Sequence, residues 1–365
     1  MFWAIGLDRI PRNIFRINRV GIAFTHLARG RPADPTDFTY PPEAVATWCK
    51  KELSERVVLD DWGGVTYVKR TWINPPPPLP LGAAMKALIF SKALYSTWIY
   101  YSPDRILFDC GEGVSTALEN KVFAIKHVFL SHGHADHISG LMGLINIRNN
   151  AMGDHEKELR VYYPAGSFFV SELITYFART NRNLQYELEW IPLKPGDRVT
   201  LLSGKHPRYV EAFATVHTRG EPSLGYNVCE VRRRLKSKYR DLPQEEIVAL
   251  VRAGKKEEIS ETYGQYLFSY GGDSVPLNPS LVRGTEILLH EATFVDEEDR
   301  KEYKHSTVWE AIEVAKKAEV QKELILFHLS SRYRWDLQKL EQKIADLNLP
   351  FRVRIIPPGE LVEIE

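Results

Sequence analysis

The stretch Ser131-His132-Gly133-His134-Ala135-Asp136-His137 places three imidazoles and a carboxylate within six residues, directly after a short apolar run. Neutral imidazole and carboxylate are preferred ligands of Zn²⁺. Alternate residues of a tight loop can aim His132 and His134 at one ion while Asp136 and His137 face another. Solvent-exposed loop histidines are the bland alternative, and the density of donors argues against it. One loop gives each ion too few ligands, so the rest must come from elsewhere. Of the eleven histidines, His26, His127, His155 and His206 sit in unremarkable contexts. His217, His290, His305 and His328 each end a strand-like run or occupy a short polar turn. Asp273, after Gly271-Gly272, is a further donor or plain turn chemistry.

The surrounding pattern is an α/β one. Lys86–Phe90, Ser96–Tyr101, Arg105–Phe108, Val128–Leu130 and Leu159–Tyr163 read as strands, and helical windows follow at Ser167–Arg179 and Thr307–Glu319. The second helix is well signalled, with Thr307 as a cap, Glu310 three residues on, and an apolar face of Ala311, Ile312, Ala315 and Ala318. Glu323–Phe327, Leu337–Leu347 and Phe351–Ile356 read as strand, helix and strand. Strands alternating with helices predict a layered α/β domain. Pro75-Pro76-Pro77-Pro78-Leu79-Pro80 reads as extended polyproline II and separates an extension, residues 1–80, from the domain at 81–365. Within the extension, Val65–Trp72 is strand-like.

The bulk numbers exclude several classes. The 365 residues are 44% hydrophobic and 26% charged, an ordinary globular composition. No apolar run approaches the roughly 20 residues that span a bilayer, so no membrane partner is expected. Three cysteines, Cys49, Cys110 and Cys229, are too few and scattered for a disulfide framework, which points to a reducing compartment. A net charge of +1 carries no global nucleic-acid signature, so affinity for RNA must come from a local patch. Arg9, Arg12, Arg16, Arg19, Arg29 and Arg31 face only Asp8 at the start of the chain. That bias fits an organellar transit peptide; a basic surface segment of a cytoplasmic protein is the reading adopted.

The order of motifs resembles the ribonuclease Z family of the metallo-β-lactamase superfamily, over residues 86–333. The pieces are Phe108-Asp109-Cys110-Gly111-Glu112-Gly113, the histidine–aspartate loop, His217 followed by Gly225-Tyr226, and Gly272-Asp273-Ser274. Next come His290-Glu291-Ala292-Thr293, His305-Ser306-Thr307 and His328-x-Ser330-x-Arg332-Tyr333. The resemblance implies an αββα sandwich and two Zn²⁺ ions, with Mn²⁺ as a substitute. His132, His134 and His217 would hold one ion, Asp136, His137 and His328 the other, and Asp273 would bridge them. It also implies His305 beside the scissile phosphate as general acid. His290 and Glu291 then orient ligands or His305, or are purely structural. Asp109 and Glu112 fix the loops beneath the site.

Two adjacent ions lower the pKa of a shared water and clamp the attacked phosphate, and Asp136 is placed to orient or deprotonate that water. The expected activity is cleavage of the 3′ trailer of precursor transfer RNA. The grip on RNA would come from a basic insertion at about 230–262, where Arg232, Arg233, Arg234, Lys236, Lys238 and Arg240 supply six cations in nine residues. A solvated charged face is the competing reading of that run. The family opens on a glycine-rich strand-turn, whereas Leu88–Thr97 contains no glycine, which implies a reshaped pocket. The resemblance also suggests a homodimer. The alternative function is a phosphodiesterase for small substrates such as cyclic nucleotides or aryl phosphodiesters. A non-catalytic nucleic-acid-binding protein would have no need of all seven donors and His305.

Overall fold

The computed structural model describes residues 87–151, 158–204 and 206–364, with the backbone of two short strands before them. The chain divides into two compact units, Met1–Ala83 and Ala84–Glu365. In the first, β1 (Val57–Leu59) pairs antiparallel with β2 (Val65–Val68). The Arg-rich start, the Pro75–Pro80 run and the rest of the strand-like Val65–Trp72 stretch lie outside the described residues.

The second unit is a sandwich of two seven-stranded sheets among the described residues. The first sheet contains β3 (Ala87–Lys92), β4 (Ser96–Tyr101), β5 (Ile106–Phe108), β6 (His127–Phe129), β7 (Leu159–Pro164) and β8 (Leu188–Leu193). Helices α1 (Val114–Leu118), α2 (Ala135–Ile138), α3 (Leu141–Ala151) and α4 (Phe168–Thr180) connect its strands. The second sheet runs β9 (Arg198–Leu202), β10 (Arg208–Thr215), β11 (Ser223–Leu235), β12 (Ser260–Tyr270), β13 (Ile287–Glu291), β14 (Glu323–Phe327) and β15 (Arg352–Ile355). Helices α5 (Gln244–Arg252), α6 (Lys256–Ile259), α7 (Val308–Lys317) and α8 (Leu337–Ala345) belong to its connections. The last strand, β16 (Leu361–Ile364), returns to pair antiparallel with β3 and completes the first sheet.

Successive side chains of a strand face opposite ways, so a strand buried on both faces must be apolar at every position. Leu288 and Leu289 of β13 are both fully buried, yet Leu289 joins the core between the sheets while Leu288 packs under the outer helices. Phe129 of β6 faces the same central core and Val128 the opposite one, under α1, α3 and α4. Three apolar layers therefore hold four layers of structure together, an αββα sandwich as expected. Each fully buried large apolar side chain contributes about 1.5–3 kcal/mol.

Helix starts follow the sequence signals. Thr307 caps α7 and closes a capping box: its hydroxyl accepts from Glu310 N at 3.2 Å and the Glu310 carboxylate accepts from Thr307 N at 2.9 Å. Ser167 caps α4. The glycine-free stretch between β3 and β4 is a tight turn, closed by Tyr95 N donating to Lys92 O at 2.9 Å, with Leu94 left-handed at φ 71°. Strand signals in the sequence are weak over β8 and β9. The alternation of β9 is clear but its outward positions are exposed, and β8 is only partly buried, so both sit at sheet edges where apolar signal is weakest. The basic run continues β11, where Arg232, Arg233 and Arg234 pair with Tyr263, Thr262 and Glu261 of β12 in one long ribbon.

Candidate metal centre

Every element of the site delivers its residue from the end of a strand. The loop after β6 carries His132 and His134 and runs into α2 with Asp136 and His137, β10 leads to His217, β12 to Asp273, β13 ends on Glu291, and β14 leads to His328. Gly272 turns the chain at φ 61° beside Ser131, where a Cβ would stand 2.6 Å from the Ser131 Cβ. Only glycine allows Asp273 to approach the histidine loop that closely. His328 itself is left-handed at φ 60°, a conformation a non-glycine residue adopts at a cost of about 1–3 kcal/mol. Its backbone N–H is held by Ser91 Oγ at 3.0 Å.

The predicted donors converge. Donor atoms of His132, His134 and His217 lie within 4.8 Å of one another, and so do those of Asp136, His137, Asp273 and His328. His217, Asp273 and His305 form an overlapping third group at the same limit. Asp273 thus faces both halves of the site.

Most imidazoles are braced from behind through Nδ1, which turns Nε2 inward. His132 Nδ1 meets Ser131 Oγ at 3.0 Å, His137 Nδ1 meets Asp109 Oδ2 at 2.6 Å, His217 Nδ1 meets Lys304 O at 3.1 Å and His328 Nδ1 meets Thr293 Oγ1 at 2.9 Å. His137 Nε2 and His328 Nε2 then stand 3.3 and 3.2 Å from Asp273 Oδ2. His134 is the exception and presents Nδ1, 3.2 Å from His217 Nε2.

Three buried polar atoms in this cluster have no hydrogen-bond partner: His132 Nε2, His137 Nε2 and Asp273 Oδ1. Leaving a buried polar atom unpaired costs about 1–3 kcal/mol, and all three belong to predicted donors. Protonation states agree. Burial holds His132 well below the usual histidine range, helped by the charge on His137. Burial also lowers His134 and His217. Burial works against ionised Asp273, yet His328 and His137 outweigh it and hold the carboxyl well below the usual range. His137 is raised, because Asp273 and Asp109 overcome the burial that opposes its charge. Neutral imidazoles beside ionised carboxylates are the states a metal ion requires, and a cation replaces the proton that His137 otherwise carries. The donor set fits a metal cofactor.

Asp109 lies beneath the site, as the sequence suggested. It accepts from Ser131 N at 2.6 Å and Ser131 Oγ at 2.7 Å as well as bonding His137, and the Tyr270 hydroxyl donates to it. Glu112 contributes its backbone carbonyl, which accepts from Ser96 Oγ at 2.8 Å. Glu291 is fully buried and serves several partners. Its Oε1 lies 2.8 Å from His305 Nδ1 and 3.1 Å from Ser306 N, and its Oε2 accepts from Thr293 N at 2.8 Å. His290 faces elsewhere: Leu277 N donates to its Nε2 at 3.2 Å and its Nδ1 meets Glu291 O at 2.7 Å. It braces the segment after Asp273. The pKa of His305 is held at about 9, since burial, which lowers it, is outweighed by Glu291 and then Asp273.

Thr293, Tyr270 and Glu221 also serve the site, and no sequence motif by itself assigns them a role. Thr293 was visible as part of His-Glu-Ala-Thr, but nothing in that string reveals contact with His328 from another strand. The basic run is not brought to the site. Leu224 N donates to Ser131 O at 2.8 Å, so β11 begins at the donors; Arg233 lies nine residues further along it, about 30 Å away at the rise of a strand. Arg232 pairs with Glu230 and Glu286, Arg233 with Glu257 and Arg234 with Glu261. Lys236 Nζ donates to a backbone carbonyl and Lys238 lies over the Tyr239 ring, so neither is matched by a carboxylate among the described ion pairs.

A layered sandwich with this donor loop at its strand ends is a metallo-β-lactamase fold, and residues 104–329 match the β-lactamase superfamily domain. Ribonuclease Z of Methanosarcina acetivorans is 33% identical over 287 residues, covering 71% of this chain and 88% of that protein. Ribonuclease Z of Listeria monocytogenes is 31% identical over 284 residues, covering 70% and 89%. The fold is shared with the short form of human tRNase Z at a TM-score of 0.51 and 20% identity, over 77% of this chain and all 100% of that one. The chain belongs to the ribonuclease Z family and is a hydrolytic nuclease. No helix among the described residues is long and apolar enough to cross a membrane.

Proposed function

We propose that the chain is an endoribonuclease that removes the 3′ trailer from precursor transfer RNA at a centre of two zinc ions. The observation that carries this reading is the pair of donor groups, His132–His134–His217 and Asp136–His137–Asp273–His328. Relatives named ribonuclease Z, matched along most of their length, support the RNA substrate.

His132, His134 and His217 would hold one ion and Asp136, His137 and His328 the other, with Asp273 shared. Bound there, such ions activate water and neutralise charge on the attacked phosphate. Asp136 is more exposed than the other donors of its group and orients the attacking water. His305 delivers a proton from Nε2 to the leaving oxygen, because Glu291 occupies its Nδ1 and favours the protonated ring. Thr293 fixes the plane of His328 in the same hydrogen-bond chain.

Lys236 and Lys238, whose charges no carboxylate balances among the described residues, supply the remote phosphate contacts on the ribbon. Arg232, Arg233 and Arg234 add to them to the extent that their acidic partners release them.

Cleavage of a 3′-extended transfer RNA, with metal analysis of the same protein, tests the proposal. Two zinc ions per chain, and loss of cleavage on chelation with recovery on zinc addition, are expected. Neutralising Lys236 and Lys238 should weaken RNA cleavage in a salt-dependent way and spare a small phosphodiester. A small phosphodiester cleaved while transfer RNA stays intact would favour the alternative phosphodiesterase.

A further inference from the structure

Phe168 and Phe169 open α4 with 63% and 47% of their surfaces exposed, a contiguous aromatic pair rather than a single scattered apolar residue. Their rings meet edge to face at 5.7 Å, and the Phe169 ring lies 6.1 Å from that of His134. The pair therefore borders the donor cluster rather than a distant surface.

The local structure fixes this position. Ser167, fully buried, caps α4 and donates its hydroxyl to Glu221 Oε1, which ties the helix start to the loop after His217. Gly133 of the donor loop fits between them. A Cβ there would stand 2.6 Å from Glu221 Oε1, 2.8 Å from the Phe169 Cβ and 2.9 Å from Ser167 Oγ. This packing sets the start of the Phe169 side chain against the donor loop, while much of both phenylalanines stays exposed. The loop that Glu221 anchors also carries Arg219, exposed and in none of the ion pairs among the described residues. Most arginines of the second sheet, by contrast, are matched by a carboxylate.

We infer that Phe169, backed by Phe168, is a stacking platform for an unpaired nucleobase next to the scissile phosphate, and that Arg219 contacts an adjacent phosphate. The inference rests on the RNA-cleaving reading above. Aromatic faces stack any base and a neighbouring cation follows the backbone, which is the combination that grips single-stranded RNA. An aryl phosphodiester has no nucleobase and a cyclic nucleotide has no second phosphate, so Phe169 and Arg219 together select a nucleic-acid strand at the metal centre itself.

The test uses the zinc-loaded full chain and a 3′-extended transfer RNA carrying 2-aminopurine on either side of the cleavage position, with a non-hydrolysable phosphonate at that position for binding. Quenching of one 2-aminopurine on binding is expected. Phe169→Leu should abolish the quenching and weaken binding by about tenfold to a hundredfold, while Phe169→Trp restores both. Arg219→Ala should lower the salt dependence of binding by about one counterion. Both variants should keep zinc content. Quenching and affinity unchanged in Phe169→Leu overturn the platform alone. A wild-type chain that neither binds nor cleaves the RNA overturns the RNA reading and the platform together.

Discussion

Asp109 Oδ2 lies 2.6 Å from His137 Nδ1, and neither side chain has exposed surface. The carboxylate follows β5 and the imidazole lies on α2, so this hydrogen bond, with those from Ser131 to Asp109, joins the two segments that build the site. Asp109 is itself left-handed, at φ 52°, which places its side chain under the donor loop. The contact fixes the His137 tautomer, leaves Nε2 free, and strengthens the ring as a donor.

Asp109→Asn keeps an acceptor for Ser131 but turns a donor amide toward His137 and removes the charge. Metal affinity should fall by about tenfold to a hundredfold, read by competition with a chromophoric chelator. Wild-type affinity in the variant would mean that Asp109 braces only Ser131.

His305→Ala should lower kcat on RNA by about 10²- to 10⁴-fold, the usual contribution of a positioned general acid. Zinc content should remain that of the wild type. His305 also shares a donor group with His217 and Asp273, so loss of one zinc in the variant would identify it as a ligand instead.

His127 lies at the other end of β6 from the donors and is lowered from its usual 6.5 to about 4 by burial, then by Arg160 and Lys126. Between those values the unfolded chain binds a proton that the folded chain refuses, so stability falls as pH drops from 6.5 toward 4 and is unaffected above 6.5. His127→Gln should flatten that loss by about 2 kcal/mol, allowing for partial solvent access. Urea melts of the two proteins at pH 7 and pH 4.5 read the difference. Equal acid sensitivity would remove His127 as a source of it.

Thr307→Ala breaks the capping box of α7 and should cost about 1 kcal/mol in the same melts. The His305 loop is adjacent, so cleavage should fall modestly too. A stability unchanged within a few tenths of a kcal/mol would show that burial of the helix face, and not the cap, holds α7 in place.

Chemistry carried by adjacent residues was legible in the chain alone. His132 to His137 declared themselves because four donors in one loop have no packing explanation, and Thr307 with Glu310 because a capping box is local. The buried strands Ser96–Tyr101 and Glu323–Phe327 are readable to the residue, since both faces of each are covered and Trp98–Tyr101 and Leu324–Phe327 are unbroken apolar or aromatic runs. Edge strands such as Arg198–Leu202 were not, because half their positions face water.

What only the tertiary structure decided is the set of relationships between distant strands. Thr293 with His328, Asp109 with Tyr270, and Ser167 with Glu221 are separated by 35, 161 and 54 residues. No local pattern encodes such distances. The opposite case is the basic run, whose charges the sequence counts in full. Arg232, Arg233 and Arg234 are matched by acids on other segments, and strand β11 carries them about 30 Å from the donors. Residue types set what each side chain can do, and the packing of two sheets sets which of them meet.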